Sequence, residues 1–334
     1  MTNAGFRGSL CMFGHWRVQN GIMSVITEID DELMILDGGL ATELERRGHD
    51  VSGMLWSAQV LRTAPEAIEQ LHYDYFAAGA RCAISASYQV SYEGLAALGL
   101  GADETTALLR RSVELAQSAR ARYRCDHPAD RRPLFVAASV GPYGAISHDG
   151  AEYRGDYGLS VDELIAFHAR RFGVLATSGA EFLACETIPV LDEARALAAL
   201  LEQYPDARAW MSFTSSDGIH TSHGEPLTDC ARLLDRVPNL VAIGVNCVKP
   251  EIVGEAIRAI RAGSNKAVVV YPNSGDQWDG WTHHWRGSRD HGSLAGLAPQ
   301  WVSAGARMVG GCCRIGPQEI AALDDALSHL NGRR

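Results

Sequence analysis

Eight short apolar runs, each followed by a longer amphipathic stretch, recur along the 334 residues, and the runs are continuously rather than alternately apolar. Continuous apolarity marks strands covered on both faces, and eight β-then-α units in roughly 300 residues is the pattern of a closed barrel. The sequence therefore predicts α/β architecture: a (β/α)8 TIM-type barrel forming a single domain over 31–334, preceded by a loose N-terminal extension, 1–30.

The strand-like runs are LMILDGG (33–39), CAISASYQ (82–89), LFVAASVG (134–141), EFLACETIP (181–189), AWMSFTS (209–215), LVAIGVNC (240–247), AVVVYPNSG (267–275) and ARMVGGCC (306–313). Helical stretches lie between them. PEAIEQLHYDYFAAGA opens on Pro65 at a first-turn position and has Gly79 near its end. ADETTALLRRSVELAQSARARY and SVDELIAFHARRFGVLATSGA carry apolar residues at helical spacing, the latter opening with a capping box of Ser160 and Glu163. VLDEARALAALLEQY, LTDCARLLDRV, PEIVGEAIRAIRA, LAGLAPQWVSAGA and GPQEIAALDDALSHL complete the series. A doubly wound sheet is the competing architecture, but DGGLATE after the first run lacks the G-x-G-x-x-G spacing of a dinucleotide site. The longest irregular stretches, 142–159 and 274–292, both follow strands, where a barrel builds its active site.

Composition narrows the function. Hydrophobic residues make up 46% of the chain, enough for a large core, and a net charge of −10 argues against nucleic acid or an anionic membrane surface as partner. No apolar run approaches the ~20 residues of a membrane span, and the first thirty residues lack a signal-peptide pattern, so a cytoplasmic protein is expected. Eight cysteines in such a chain are expected to be reduced: buried, catalytic or metal-binding.

A barrel brings all eight strand ends to one mouth. In order, these are Asp37, then Ser87, Tyr88 and Gln89, then Ser139, Glu186 and Thr187, Thr214 and Ser215, Asn246 and Cys247, Asn273 and Ser274, and Cys312 and Cys313. Cys247 ends the sixth strand and Cys312–Cys313 the eighth, so all three sulfurs belong to the same rim. Three thiolates can hold one Zn²⁺ and leave a tetrahedral position open. Adjacent cysteines rarely bridge each other. Spacing alone is equally met by buried core cysteines, but the rim placement and the glycines Gly310 and Gly311, which permit close backbone approach, favour a metal. Glu186 and Asp37 are the rim carboxylates. A pair of carboxylates could also serve a hydrolase, and Asp37 could simply cap the first helix. His283, His284 and His291 in THHWRGSRDHG, and His220 and His223 in DGIHTSHG, are expected in solvated loops without regular structure. The Arg-rich RYRCDHPADRRP is expected as a surface loop before the third strand.

DGGLATELERRG, ISASYQ, SVGPYGA, ACETIP, GVNC, YPNSG and GGCCR resemble, in order and context, the homocysteine S-methyltransferases, most closely the branch that uses S-methylmethionine or S-adenosylmethionine. The resemblance covers about residues 31–330. It implies zinc-dependent transfer of a methyl group from a sulfonium donor to L-homocysteine, giving methionine, with Cys247, Cys312 and Cys313 as zinc ligands. A betaine-type homocysteine methyltransferase, a zinc-dependent barrel hydrolase with metal-bound water, and a zinc- or homocysteine-binding protein without activity are the alternatives. The substrate-binding set it implies is Asp37, Gly38, Glu186, Ser87, Tyr88, Asn246 and Trp56. Asp37 and Glu186 are placed around the homocysteine amino group with the backbone of Gly38 and Gly39 close by; Tyr88 is a candidate fourth ligand in the resting state or a buried tyrosine bonded to backbone, and Trp56 either lines the donor pocket, where an aromatic face attracts a sulfonium, or seals the first loop. Nothing in the chain resembles a cobalamin-binding or folate domain.

Overall fold

The structure is a computed structural model and describes residues 33–51, 57–147, 149–275, 277–279, 284–286 and 293–330. The extension 1–30 and Trp56 lie outside the described residues. The eight barrel strands are β1 (Met34–Ile35), β2 (Cys82–Ile84), β3 (Phe135–Val140), β4 (Phe182–Ile188), β5 (Ala209–Phe213), β6 (Leu240–Asn246), β7 (Ala267–Tyr271) and β8 (Ala306–Val309). All neighbouring pairs are parallel, running β1–β8–β7–β6–β5–β4–β3–β2. A bridge between Leu36 and Cys82 joins the two ends of that order and closes the ring, with Asp37 N–H donating to Cys82 O at 3.0 Å and Arg81 N–H to Ile35 O at 2.7 Å.

The helices are α1 (Leu40–Arg46), α2 (Ser57–Thr63) and α3 (Pro65–Ala77) before β2, α4 (Tyr92–Ala96) and α5 (Ala102–Asp126) before β3, then one per unit: α6 (Val161–Ala176), α7 (Leu191–Glu202), α8 (Leu227–Leu234), α9 (Val253–Arg261), α10 (Leu294–Ala304) and α11 (Pro317–Ser328). The eight units are those expected. Pro65 occupies the first turn of α3, and Ser160 and Glu163 form the capping box of α6. Two expectations need correction. RYRCD is the last turn of α5, because its apolar spacing continues to Tyr123, which packs in the core. The His284–Arg286 segment forms an antiparallel ribbon with Gln277–Asp279, so the histidine loop is not wholly irregular.

Period-two alternation sorts each strand into two shells. Ile35, Val136, Ala138, Leu183, Cys185, Met211, Ile243, Val268 and Val270 face the helices, whereas Met34, Leu36, Phe135, Ala137, Phe182, Trp210, Val269 and Met308 fill the barrel. The interior floor is aromatic: Phe135 meets Phe182 edge-on at 5.6 Å, and Trp210 lies 6.0 Å from Phe182. Above the floor the interior turns polar. Trp210 donates its indole N–H to Tyr271 Oη at 2.9 Å, and Ser139, Glu186, Ser212 and Asn246 follow toward the C-terminal ends of the strands.

Two further features position that polar end. Gly39 sits where β1 meets the turn after β8: a Cβ there would lie 2.6 Å from Cys312 O and 3.0 Å from Cys313 Cα. The second is a buried clamp on the long loop after β3. His168 of α6 pairs with Glu193 of α7 at 2.8 Å, Arg171 bonds His168 Nδ1 at 3.2 Å and also donates to Gly141 O, and Glu193 accepts the Tyr143 N–H at 2.5 Å. Burial, reinforced by the Arg171 charge, pushes His168 down to about 4, so it is neutral in the fold. Burial alone pushes His72 of α3 down to about 4 as well. His72 Nδ1 lies 4.0 Å from Asp37 Oδ2, too far for a hydrogen bond.

Two outcomes follow from these contacts. Gly39→Ala forces backbone against backbone and lowers stability by about 1–3 kcal/mol in urea unfolding. Both histidines take up a proton on unfolding at pH values between their folded value of about 4 and the free value near 6.5. The stability they contribute is therefore present above about pH 6.5 and lost as pH falls toward 4, with a slope of about 1.4 kcal/mol per pH unit for each histidine. His168→Gln should remove one proton's worth of that slope, measured as unfolding free energy from pH 7 to 4; an unchanged slope contradicts a neutral His168.

Candidate active site and metal centre

Asn246 ends β6 opposite Tyr271 of β7, and Val309 of β8 lies opposite Val270. The chain leaves β6 and β8 at the same level as a result. Cys247 N–H donates to Tyr271 O at 3.1 Å, and Cys312 N–H to Pro272 O at 2.8 Å. The three sulfurs then lie within 4.8 Å of one another, with Cys247 Sγ 3.6 Å and Cys312 Sγ 4.0 Å from Cys313 Sγ. Among the described residues this is the one group of His, Cys, Asp or Glu side chains close enough to hold a metal. His220 and His223 are instead exposed partners of Asp217 and Glu225.

The donor set fits a zinc-type ion. Tetrahedral coordination with Zn–S bonds of about 2.3 Å sets sulfurs about 3.8 Å apart, between the two separations seen here. Soft thiolates select Zn²⁺ over hard oxygen-seeking cations. The cluster is prepared to lose its first proton. Hydrogen bonds from Cys312 and Cys313, and from the Tyr153 hydroxyl, hold the Cys247 thiol well below its usual range, and that shared charge in turn keeps the other two thiols up. Tyr153 Oη is 3.2 Å from Cys247 Sγ, and burial followed by the Cys247 charge keeps its phenol protonated, so it is the donor.

The sulfurs open onto a cavity of about 770 Å³ including its mouth, lined by residues that include Gly38, Gly39, Thr42, Tyr88, Glu152, Glu186 and Asn246. Glu186 is buried at the end of β4, where Ser139 Oγ donates to it. Burial pushes its carboxyl up to about 7 against the lowering effect of the Ser139 and Tyr271 hydroxyls. Asp37 is buried behind the cavity wall rather than lining it. Its Oδ2 accepts the Ile84 N–H at 2.8 Å, its Oδ1 has no partner among the described residues, and burial raises its carboxyl well above the ordinary range. Asn246 is a strut: its Oδ1 accepts from Thr187 N–H and Ser212 Oγ, both at 2.7 Å, and its amide donates to Thr187 Oγ1 at 2.9 Å. Ser87 stands outside the lining with its hydroxyl engaged by Ser139 O and Ser85 Oγ, each at 2.8 Å. Tyr88 lines the cavity, but the phenol against Cys247 belongs to Tyr153.

Tyr153 and its neighbour Glu152 are residues that sequence reasoning missed. They lie in a single 3₁₀ turn, Ala151–Tyr153, inside the irregular segment after β3, where no periodicity fixes orientation. The available signal was the length of that loop alone. Tyr271, which caps the aromatic floor, was visible only as part of YPNSG.

The homocysteine S-methyltransferase family profile matches residues 34–327. Homocysteine S-methyltransferase YbgG of Bacillus subtilis is 47% identical over 295 residues, spanning 87% of this chain and 94% of its own length. Selenocysteine Se-methyltransferase of Brassica oleracea is 41% identical over 305 residues, covering 88% of each. The crystal structure of the homocysteine methyltransferase MmuM from Escherichia coli, in a metallated form, matches with a TM-score of 0.82 at 46% identity, covering 92% of this chain and 99% of that one. With its barrel, its rim of three cysteines and this extent of similarity, the chain belongs to the homocysteine S-methyltransferase family and is a methyltransferase.

Proposed function

We propose that this enzyme transfers a methyl group from a sulfonium donor, S-methylmethionine in first place and S-adenosylmethionine in second, to the thiol of L-homocysteine, with Zn²⁺ held by Cys247, Cys312 and Cys313. The observation that carries this reading is the spacing of the three sulfurs at the rim of the cavity. Bound there, the ion supplies a Lewis acid that favours the substrate thiol in its deprotonated, nucleophilic form.

The chain's own residues do the rest. The acceptor ammonium pairs with Glu186, whose carboxylate Ser139 holds in place and whose charge an ammonium brought beside it favours. Asp37 stands behind Glu186, where burial and the Glu186 charge favour its neutral form, and the backbone at Gly38 and Gly39 brings the start of α1 to the cavity. Asn246, through Thr187, fixes the rim next to Glu186. Tyr153 holds Cys247 by its hydroxyl. In the transfer the acceptor's sulfur lone pair forms the new S–CH₃ bond. The pair of the breaking C–S bond stays on the donor sulfur, which becomes a neutral thioether; the thiol proton has left to solvent beforehand. Opposite charges cancel in this step, so alignment and exclusion of water dominate, together worth up to about 7–11 kcal/mol. Three free thiols need a reducing compartment, and a cytoplasmic location is part of the proposal. Among the described residues no helix is long and apolar enough to cross a membrane.

Purified protein should carry about one zinc per chain and form methionine from homocysteine with S-methylmethionine or S-adenosylmethionine, and not with betaine. Selenocysteine is a second acceptor worth including, given the Brassica relative. Cys247→Ala, Cys312→Ala and Cys313→Ala should each lose zinc, by elemental analysis, and activity. Full zinc retention in one of them removes that residue from the ligand set, and no methionine from any sulfonium donor rules out the reaction.

A further inference from the structure

We propose that Glu152 receives the sulfonium of the methyl donor and thereby separates the charged donor from its neutral product. The assignment rests on the sulfonium-to-thiol reading above and gives it a residue for the second substrate.

Two carboxylates line the cavity, Glu186 and Glu152, and no Lys, Arg or His does so among the described residues. The acceptor brings one cation, its ammonium, which Glu186 suits. A sulfonium amino acid brings two, and one carboxylate remains. Glu152 Oε2 is buried and has no hydrogen-bond partner among the described residues, a costly state for a carboxylate oxygen. Arg154, the neighbouring cation, is turned outward to Asp149 at 2.9 Å and Asp156 at 3.3 Å.

The position of Glu152 selects the sulfonium over the donor's ammonium. The next residue, Tyr153, places its hydroxyl 3.2 Å from Cys247 Sγ, and Glu152 lines the same cavity as the three sulfurs. Its backbone is fixed there. A Cβ on Gly144 would lie 2.4 Å from Glu152 N, so the 3₁₀ turns Tyr143–Ile146 and Ala151–Tyr153 pack main chain on main chain. The clamp of His168, Arg171 and Glu193 holds the start of the same loop.

The chemistry gives the contact a direction. The donor sulfur is positive before transfer and neutral afterwards, because the electron pair of the broken C–S bond returns to it. A carboxylate facing it strengthens donor binding and loses its partner as the methyl leaves. Such a contact is strongest in the ground state, so it appears in the donor's KM more than in kcat, and it favours release of the thioether.

The test is Glu152→Gln in the zinc-loaded enzyme, with S-methylmethionine as donor and methionine as inhibitor competing against that donor. Methionine shares the donor's ammonium and lacks its sulfonium. We expect KM for S-methylmethionine to rise about 10- to 100-fold, with a smaller change in kcat. KM for homocysteine, the inhibition constant of methionine and the melting temperature should hold. Glu152→Asp, which keeps the charge with a shorter reach, should recover part of the donor KM, and it carries the same comparison if the Gln variant does not fold. A parallel rise in the methionine inhibition constant assigns Glu152 to the ammonium and overturns the proposal. So does a rise confined to homocysteine, or an unchanged donor KM. Absence of methionine formation by the wild-type protein from every sulfonium donor overturns the underlying reading, and this assignment with it, before any variant is made.

Discussion

The site depends on register. β7 lies between β6 and β8 and acts as their common ruler: Asn246 faces Tyr271, Val309 faces Val270, and the carbonyls of Tyr271 and Pro272 accept the amide protons of Cys247 and Cys312. A one-residue slip of either outer strand would turn every side chain to the opposite face and send one group of sulfurs toward the helices. The packing that fills the barrel below, Trp210 on Phe182 and Tyr271 on Trp210, makes such a slip expensive, because the slipped strand would push its helix-facing side chains into an interior these rings already fill.

Strain collects at the same rim. Among the described residues three non-glycine residues have a left-handed backbone: Thr187 at φ 62°, Cys247 at φ 52° and Arg314 at φ 65°. Each follows directly on a residue of the site: Glu186, Asn246 or Cys313. A β-branched residue in that region is unfavourable by about 1–3 kcal/mol, and it persists only where its surroundings hold it. Asn246 provides that hold for Thr187, with three hydrogen bonds among Asn246, Thr187 and Ser212. Turning the chain sharply at these points aims Cys247 at the cavity and ends β4 with Glu186 still facing inward. Stability given up in the backbone is thus converted into placement of the reacting groups.

Much of this was legible in the sequence because it rests on short-range pattern. Continuous apolar runs gave the strands, 3.6-residue spacing gave the helices, and the ends of the sixth and eighth runs put Cys247 and Cys312–Cys313 on one rim. What escaped depends on side-chain direction within irregular backbone. Tyr153 and Glu152 reach the cavity through a 3₁₀ turn packed on the turn Tyr143–Ile146, which Glu193 of α7 holds, and no local signal reports such contacts. The distinction between Asp37 and Glu186 was equally hidden. Both end a strand, but Asp37 turns onto the Ile84 amide behind the wall while Glu186 faces the cavity. Ser87 ends a strand too, yet spends its hydroxyl on its neighbours.

The seam between the first and last strands sets an order of events for the nascent polypeptide. Cys247 and Cys313 are 66 positions apart, and β8 has to insert between β1 and β7 for the ring to close. A chain emerging from the ribosome with seven strands in place presents one of the three sulfurs and an open gap where the other two belong. The three sulfurs therefore come together only once the ring has closed, and an incomplete translation product lacks the full three-sulfur rim.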